Sequence, residues 1–133
     1  MAERDQREGE QVVSRFWAAI NSQELDGLLD VCDSGVALHS VVGSVYHGHD
    51  GLKSWWHGLF EAFGRYEGRI EDSLALGGLV LAVVRVAATG QASGMGDTRR
   101  VLQVFTVRDG RVSRLAAYLD PADALEDAAR QLR

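Results

Sequence analysis

Four side chains stand out as candidates to move a proton or hold an oxygen in a shared site: His39, Arg99, Tyr118 and Asp120. An imidazole titrates near neutrality, so His39 needs little tuning to serve as acid or base. If the chain is an enzyme, His39 and Asp120 would exchange protons, while Tyr118, Tyr46 or Gln103 would polarise a carbonyl or hydroxyl oxygen. Each has a plainer reading. His39 also suits a partly exposed strand position, and Asp120 stands directly before Pro121, where an aspartate caps a helix for about 1 kcal/mol. Arg99 also suits an ion pair across two strands, worth well under ~1 kcal/mol.

What must position these residues is the stretch from Arg99 to Pro121. Asp109-Gly110 lies between two apolar runs, and a two-residue turn with positive φ at both positions closes such a hairpin. Counting outward from Arg108 and Arg111 sets Phe105 opposite Arg114, Gln103 opposite Ala116, Val101 opposite Tyr118 and Arg99 opposite Asp120. Alternation then sorts the hairpin into two faces. One carries Leu102, Val104, Leu115, Ala117 and Leu119. The other mixes Val101, Phe105, Val107 and Val112 with Arg99, Gln103, Arg114, Tyr118 and Asp120, the composition of a binding cavity wall.

Aromatic residues supply the rest of a candidate ligand wall. Trp55, Trp56 and Phe60 fall on one helical segment, Trp17 on another, and Tyr46 in a loop; with Gln103 and Phe105 they form the expected binding set. Helix-stripe aromatics equally make core. His47, His49 and His57 have neither the spacing nor the carboxylate partner of a metal site, so no metal and no cofactor is expected. Cys32 sits in a helical stripe without a partner base and reads as an inert core thiol. The glycine-rich GQASGMG segment lacks the lysine and the strand–loop–helix setting of a phosphate loop.

In chain order, Val12, Val13, Phe16, Trp17 and Ile20 mark a helix from about Glu8 to Asn21. Leu25, Leu28, Leu29 and Cys32 mark a second, stopped at Asp33-Ser34-Gly35. Val36 to Val42 reads as a short strand, Gly43 to His49 as a loop, and a third helix follows with Asp50 or His49 near its N-cap, an apolar stripe of Leu52, Trp56, Leu59, Phe60 and Phe63, and Gly64 ending it. Four strands are expected at Tyr66–Leu76, Leu79–Thr89, Arg99–Val107 and Arg111–Leu119, and a last helix from Asp120 to about Gln131. Helices followed by a meander make an α+β order.

The chain of 133 residues is expected to form one domain, with 46% hydrophobic and 25% charged residues. A net charge of −5 argues against nucleic acid. No apolar run is long enough for a membrane span, and the charged opening MAERDQREGEQ does not read as a signal peptide. One cysteine suits a reducing cytoplasm. Apolar residues on both sheet faces lead us to expect a homodimer through the sheet.

The order of elements resembles the nuclear-transport-factor-2-like superfamily, and within it the SnoaL-like, polyketide cyclase-like branch. The residues that carry the resemblance are Tyr46-His47-Gly48 before a tryptophan-bearing helix, the turn Val107 to Val112, and the ending Tyr118-Leu119-Asp120-Pro121. It spans about Val12 to Leu125. It implies a cone-shaped, cystatin-like barrel: a curved antiparallel sheet wrapped around N-terminal helices, with a pocket at its wide end. It also implies a small hydrophobic ligand and, for an enzyme, cofactor-free acid–base chemistry of the cyclase, isomerase or dehydratase kind. A non-catalytic binding or dimerisation module has the same fold. So have epoxide hydrolases, in which an Asp–Arg–Asp row activates water; here Asp97, Arg99 and Asp120 would form it. In the isomerases a catalytic aspartate belongs at the place of Ser40, beside His39, and neither residue here is a carboxylate.

Overall fold

The computed structural model describes residues 2–133, with side chains from residue 6 onward. Four helices and six strands follow one another as α1 (Ala2–Asn21), α2 (Leu25–Val31), β1 (Cys32–His39), β2 (Val45–His47), α3 (Gly48–Ala62), β3 (Phe63–Leu76), β4 (Leu79–Gly90), β5 (Gly96–Arg108), β6 (Arg111–Tyr118) and α4 (Pro121–Gln131). All six strands join one sheet in the order β2-β1-β6-β5-β4-β3. The sheet is curved and unclosed, an α+β cone. It is not wholly antiparallel, because β1 runs parallel to β6.

The apolar stripe of α1 is what the sheet wraps around. Val12, Val13, Phe16, Trp17 and Ile20 are all buried against Val80, Val84, Phe105 and Leu115. A fully buried side chain of this size contributes about 1.5–3 kcal/mol, so this stripe is the main anchor of the cone. Phe16 meets Phe105 edge-on at 5.3 Å. Asn21 then pins the helix end to the edge strand: its amide donates to the Gly68 carbonyl and accepts from the Gly68 N–H, both at 2.8 Å.

Both tight turns are as their residues require. Gly77 and Gly78 have φ of +57° and +84°, and Asp109 and Gly110 have +53° and +74°. Helix α4 starts on Asp120, whose Oδ1 accepts from the Ala122 N–H at 2.9 Å, with Pro121 in the first turn. It lies on the outer sheet face, where Ala124 and Ala128 cover Leu79 and Val104.

Several boundaries differ from the sequence reading. The second helix stops at Val31, and Asp33-Ser34-Gly35 belongs to β1 instead of ending a helix. The irregular pairing there, between Cys32↔Val112 and Ala37↔Arg114, absorbs those polar residues into a bulged strand. The expected loop before α3 contains the short strand β2, paired with β1 through Leu38↔Tyr46.

The larger difference is in the hairpin. Val107 pairs with Val112 as expected, but the next pair is Thr106↔Arg114, which leaves Ser113 as an extra residue in β6. This β-bulge moves every later pair by one: Phe105 faces Leu115, Gln103 faces Ala117 and Leu102 faces Tyr118. The expected pairs Phe105–Arg114, Gln103–Ala116, Val101–Tyr118 and Arg99–Asp120 are therefore not formed. Arg114 and Tyr118 turn to the outer face under α4, while Leu115 turns into the core.

Candidate functional site

An open cleft of about 670 Å³ lies between the inner sheet face, α3 and the β1–β2 turn, where the resemblance leads one to expect the wide end of the cone. Its floor is the inner face of β3–β5, with Tyr66, Val86, Ala88 and Val101; α3 contributes Trp55, Gly58, Leu59 and Ala62. The β1–β2 turn (Ser40, Val41, Val42), Tyr46 of β2, the β4–β5 tip (Ser93, Met95) and Leu119 complete the rim. Phe63 and Tyr66 pack at 5.8 Å, and Tyr66 stacks on Trp17 of α1 at 6.4 Å and 19°. Burial pushes the Tyr66 phenol up to about 12, so it stays protonated. Another hollow, of about 590 Å³ beneath the two tight turns, has mainly turn residues with Gln6 and Glu8 around it and no aromatic wall.

Asp97 and Arg99 are the charged residues on the described cleft lining. They stand on the same face of β5, and the Arg99 Nε donates to Asp97 Oδ2 at 2.7 Å. That hydrogen bond holds the Asp97 carboxyl below its usual range. Both side chains are well exposed, at 67% and 61%.

A second polar group forms on the opposite side of the sheet. Asp127 of α4 is fully buried and accepts from the Tyr118 hydroxyl at 2.8 Å, an Arg114 terminal nitrogen at 3.1 Å and the Gln131 amide at 3.1 Å. Burial works to raise the Asp127 carboxyl, but the donors from Tyr118, Arg114 and Gln131 outweigh it and leave it below the ordinary value. His39 belongs to this side through its pairing with Val45 and Ala116. Desolvation first, then the charge of Arg114, lowers its imidazole below the ordinary value. Tyr118 is raised, chiefly by desolvation and then by its bond to Asp127.

The structure thus separates residues that the sequence reading put together. Of the four expected catalytic residues, Arg99 reaches the cleft; His39 and Tyr118 lie on the outer side and Asp120 caps α4. Of the expected ligand wall, Tyr46 and Trp55 line the cleft. Trp56 is buried in the core at 4.7 Å from Phe60, which packs against the same cluster. Trp17 and Gln103 are buried and bonded to each other, Nε1 to Oε1, at 2.9 Å. Phe105 is core, since β5 carries it beneath α1. Phe63, an aromatic of the expected third-helix stripe, lines the cleft from the start of β3; Tyr66 and Leu119 line it without having been singled out for it. The bulge explains Leu119, which takes the inward direction expected of its neighbour Tyr118. The signal for Val41, Val42 and Met95 was present: large apolar residues inside turn segments.

Burial pushes the Cys32 thiol up to about 12, and the His49 Nε2 is 2.9 Å from the Cys32 carbonyl oxygen. Among the described residues no group of three His, Cys, Asp or Glu side chains is placed to hold a metal ion. No described helix is long and apolar enough to cross a membrane.

Comparison with known proteins agrees with this architecture. A family model described as a SnoaL-like domain matches residues 13–115. Among solved structures, TerC co-crystallised with polyporic acid superposes with a TM-score of 0.78 at 17% identity, over 90% of this chain and 96% of that one. A protein assigned as a SnoaL-like polyketide cyclase from Jannaschia sp. CCS1 gives 0.78 at 18%, covering 90% of each chain. An LEH-like epoxide hydrolase from M. tuberculosis gives 0.76 at 21%, over 96% of this chain and 93% of that one. No curated relative matches the sequence.

Proposed function

The chain belongs to the SnoaL-like domain family, and from that premise we propose that it binds a small, mostly apolar molecule in the wide-end cleft. The observation that carries this reading is the open aromatic and aliphatic wall of Trp55, Phe63, Tyr66, Val86 and Val101. A concave, largely apolar surface with few polar groups is what small-molecule sites share. The co-crystal of TerC with polyporic acid supports the same reading.

Recognition is favoured over proton transfer. A general base works best with a pKa near the operating pH, whereas Arg99 holds Asp97 below the usual carboxylate range. An epoxide-hydrolase-like row needs Arg99 between two carboxylates. Here Arg99 is bonded to Asp97, and Asp120 caps α4. The one sheet shared by β1–β6 supports reading the chain as one domain, and the buried free thiol of Cys32 supports a reducing cytoplasm.

Gly58 offers a clean test. It lines the cleft, and a Cβ built on it meets no atom within 4 Å. Gly58→Leu should therefore stabilise α3 by about 0.5–1 kcal/mol through helix propensity while obstructing the cleft. We expect a higher melting temperature together with loss of tryptophan-fluorescence quenching by flat apolar ligands. Unaltered binding in the stabilised variant would place the site elsewhere.

A further inference from the structure

We propose that the molecule held in this cleft carries one anionic group, a carboxylate or an equivalent oxyanion, and that Arg99 selects it. This rests on the cleft reading above and goes beyond it, from apolar ligand to amphipathic acid. The inward row of β5 runs Phe105, Gln103, Val101, Arg99, Asp97, as its register with Val80, Ala82, Val84, Val86 and Ala88 on β4 fixes. Along that row the surroundings change from fully buried and aromatic, through a satisfied amide and an aliphatic wall, to a charged pair at the rim. A ligand in the cleft would meet Val101, Val86 and the aromatic wall with its body and a guanidinium with its end.

The state of that guanidinium decides what the end must be. Arg99 uses its Nε on Asp97, and among the described residues no other acceptor is bonded to it. An arginine has five N–H donors in a planar fork, so the terminal edge stays available for a planar anion. On the outer face the arrangement differs: Arg85 and Arg100 converge on the one carboxylate of Glu71, at 3.2 and 2.9 Å. A neutral apolar ligand closing over Arg99 would strip water from those donors without replacing it, which is costly. An anion replaces it. Asp97 then has two opposed effects: it orients the guanidinium, and it repels the incoming charge.

A matched pair of fluorescent probes tests this: 8-anilinonaphthalene-1-sulfonate, and the neutral N-phenyl-1-naphthylamine, which has the same rings without the sulfonate. Both are titrated into wild type, Arg99→Gln, Arg99→Lys, Asp97→Asn and Trp55→Ala, with folding checked by circular dichroism. Charge-assisted hydrogen bonds at an exposed position imply about a tenfold loss of sulfonate affinity in Arg99→Gln. The neutral probe should be unchanged. Arg99→Lys should recover part of the loss, Asp97→Asn should tighten the sulfonate, and added salt should weaken it in wild type. An Arg99→Gln variant with the wild-type ratio of the two affinities overturns the anion proposal while leaving the cleft reading in place. Failure of wild type to bind either probe, or Trp55→Ala affecting neither, overturns the cleft reading and the anion proposal with it.

Discussion

Asp127 has no exposed surface, yet it carries a charge. It is tolerated because three donors from β6 and α4 close on its two oxygens, so nothing in the group is left unpaired. Asp127→Asn removes the charge and leaves Arg114 without its counterion under α4. We expect a loss of about 2–3 kcal/mol at neutral pH in urea unfolding, and Tyr118→Phe should lose about 1 kcal/mol. The pH dependence has a definite sign. The folded carboxyl lies below its usual value of about 3.9, so the unfolded chain takes up the proton first as pH falls. The stabilisation is therefore complete above about pH 5 and fades as pH falls through the folded pKa. The gap between wild type and Asp127→Asn should shrink at pH 3; a gap that persists there would mean that packing, not charge, carries it.

At the scale of elements, the closest fit is where α1 crosses the edge strand. A Cβ on Gly68 would run into the ring of Trp17. Gly68→Ala should cost about 1–3 kcal/mol through overpacking, read as a lower melting temperature, and Trp17→Leu in the same chain should recover part of it by making room. The helices, the long strands, the Asp109-Gly110 turn and the Asp120 cap were legible because each has a local signature: a 3.6-residue stripe, valine density, a positive-φ pair, an acid before proline. The bulge at Ser113 has no such signature, since a bulged residue of the right-handed kind can be almost any amino acid. Its consequence for the site was large. Alternation counted from the turn gives the right partners only as far as Val112, and the inferred meeting of Tyr118, Asp120 and Arg99 failed beyond it. Tyr46, Trp55 and Arg99 were legible as cleft residues because their positions do not depend on β6.

For the whole molecule, the outer sheet face is where the expected homodimer meets a competitor. Helix α4 already covers Leu79 and Val104, with Leu81, Leu102 and Tyr118 packed alongside. What stays open is a smaller hollow of about 200 Å³ flanked by Leu74 and Leu125, which are 59% and 60% exposed. We propose that a second copy covers this remainder, for the hollow is lined by leucines and Asp72, and Arg85 and Arg100 stand two residues beyond Val83 and Leu102 on the same sheet face, a mix that can be self-complementary about a two-fold axis. Sedimentation velocity over a wide concentration range should then show a dimer that Leu74→Glu converts to monomer. A wild-type monomer at every concentration sinks the proposal.

The extra residue in β6 also says how such a cleft can change. Removing Ser113 would leave every lining residue's identity intact and yet reverse the parity of the strand beyond it. Arg114 would point into the core in place of Leu115, and Tyr118 would take the place of Leu119 at the rim, exchanging an aliphatic side chain there for a phenol. The polarity of this cleft is thus written in a count as well as in a composition, and one inserted or deleted codon could rewrite it as thoroughly as several substitutions.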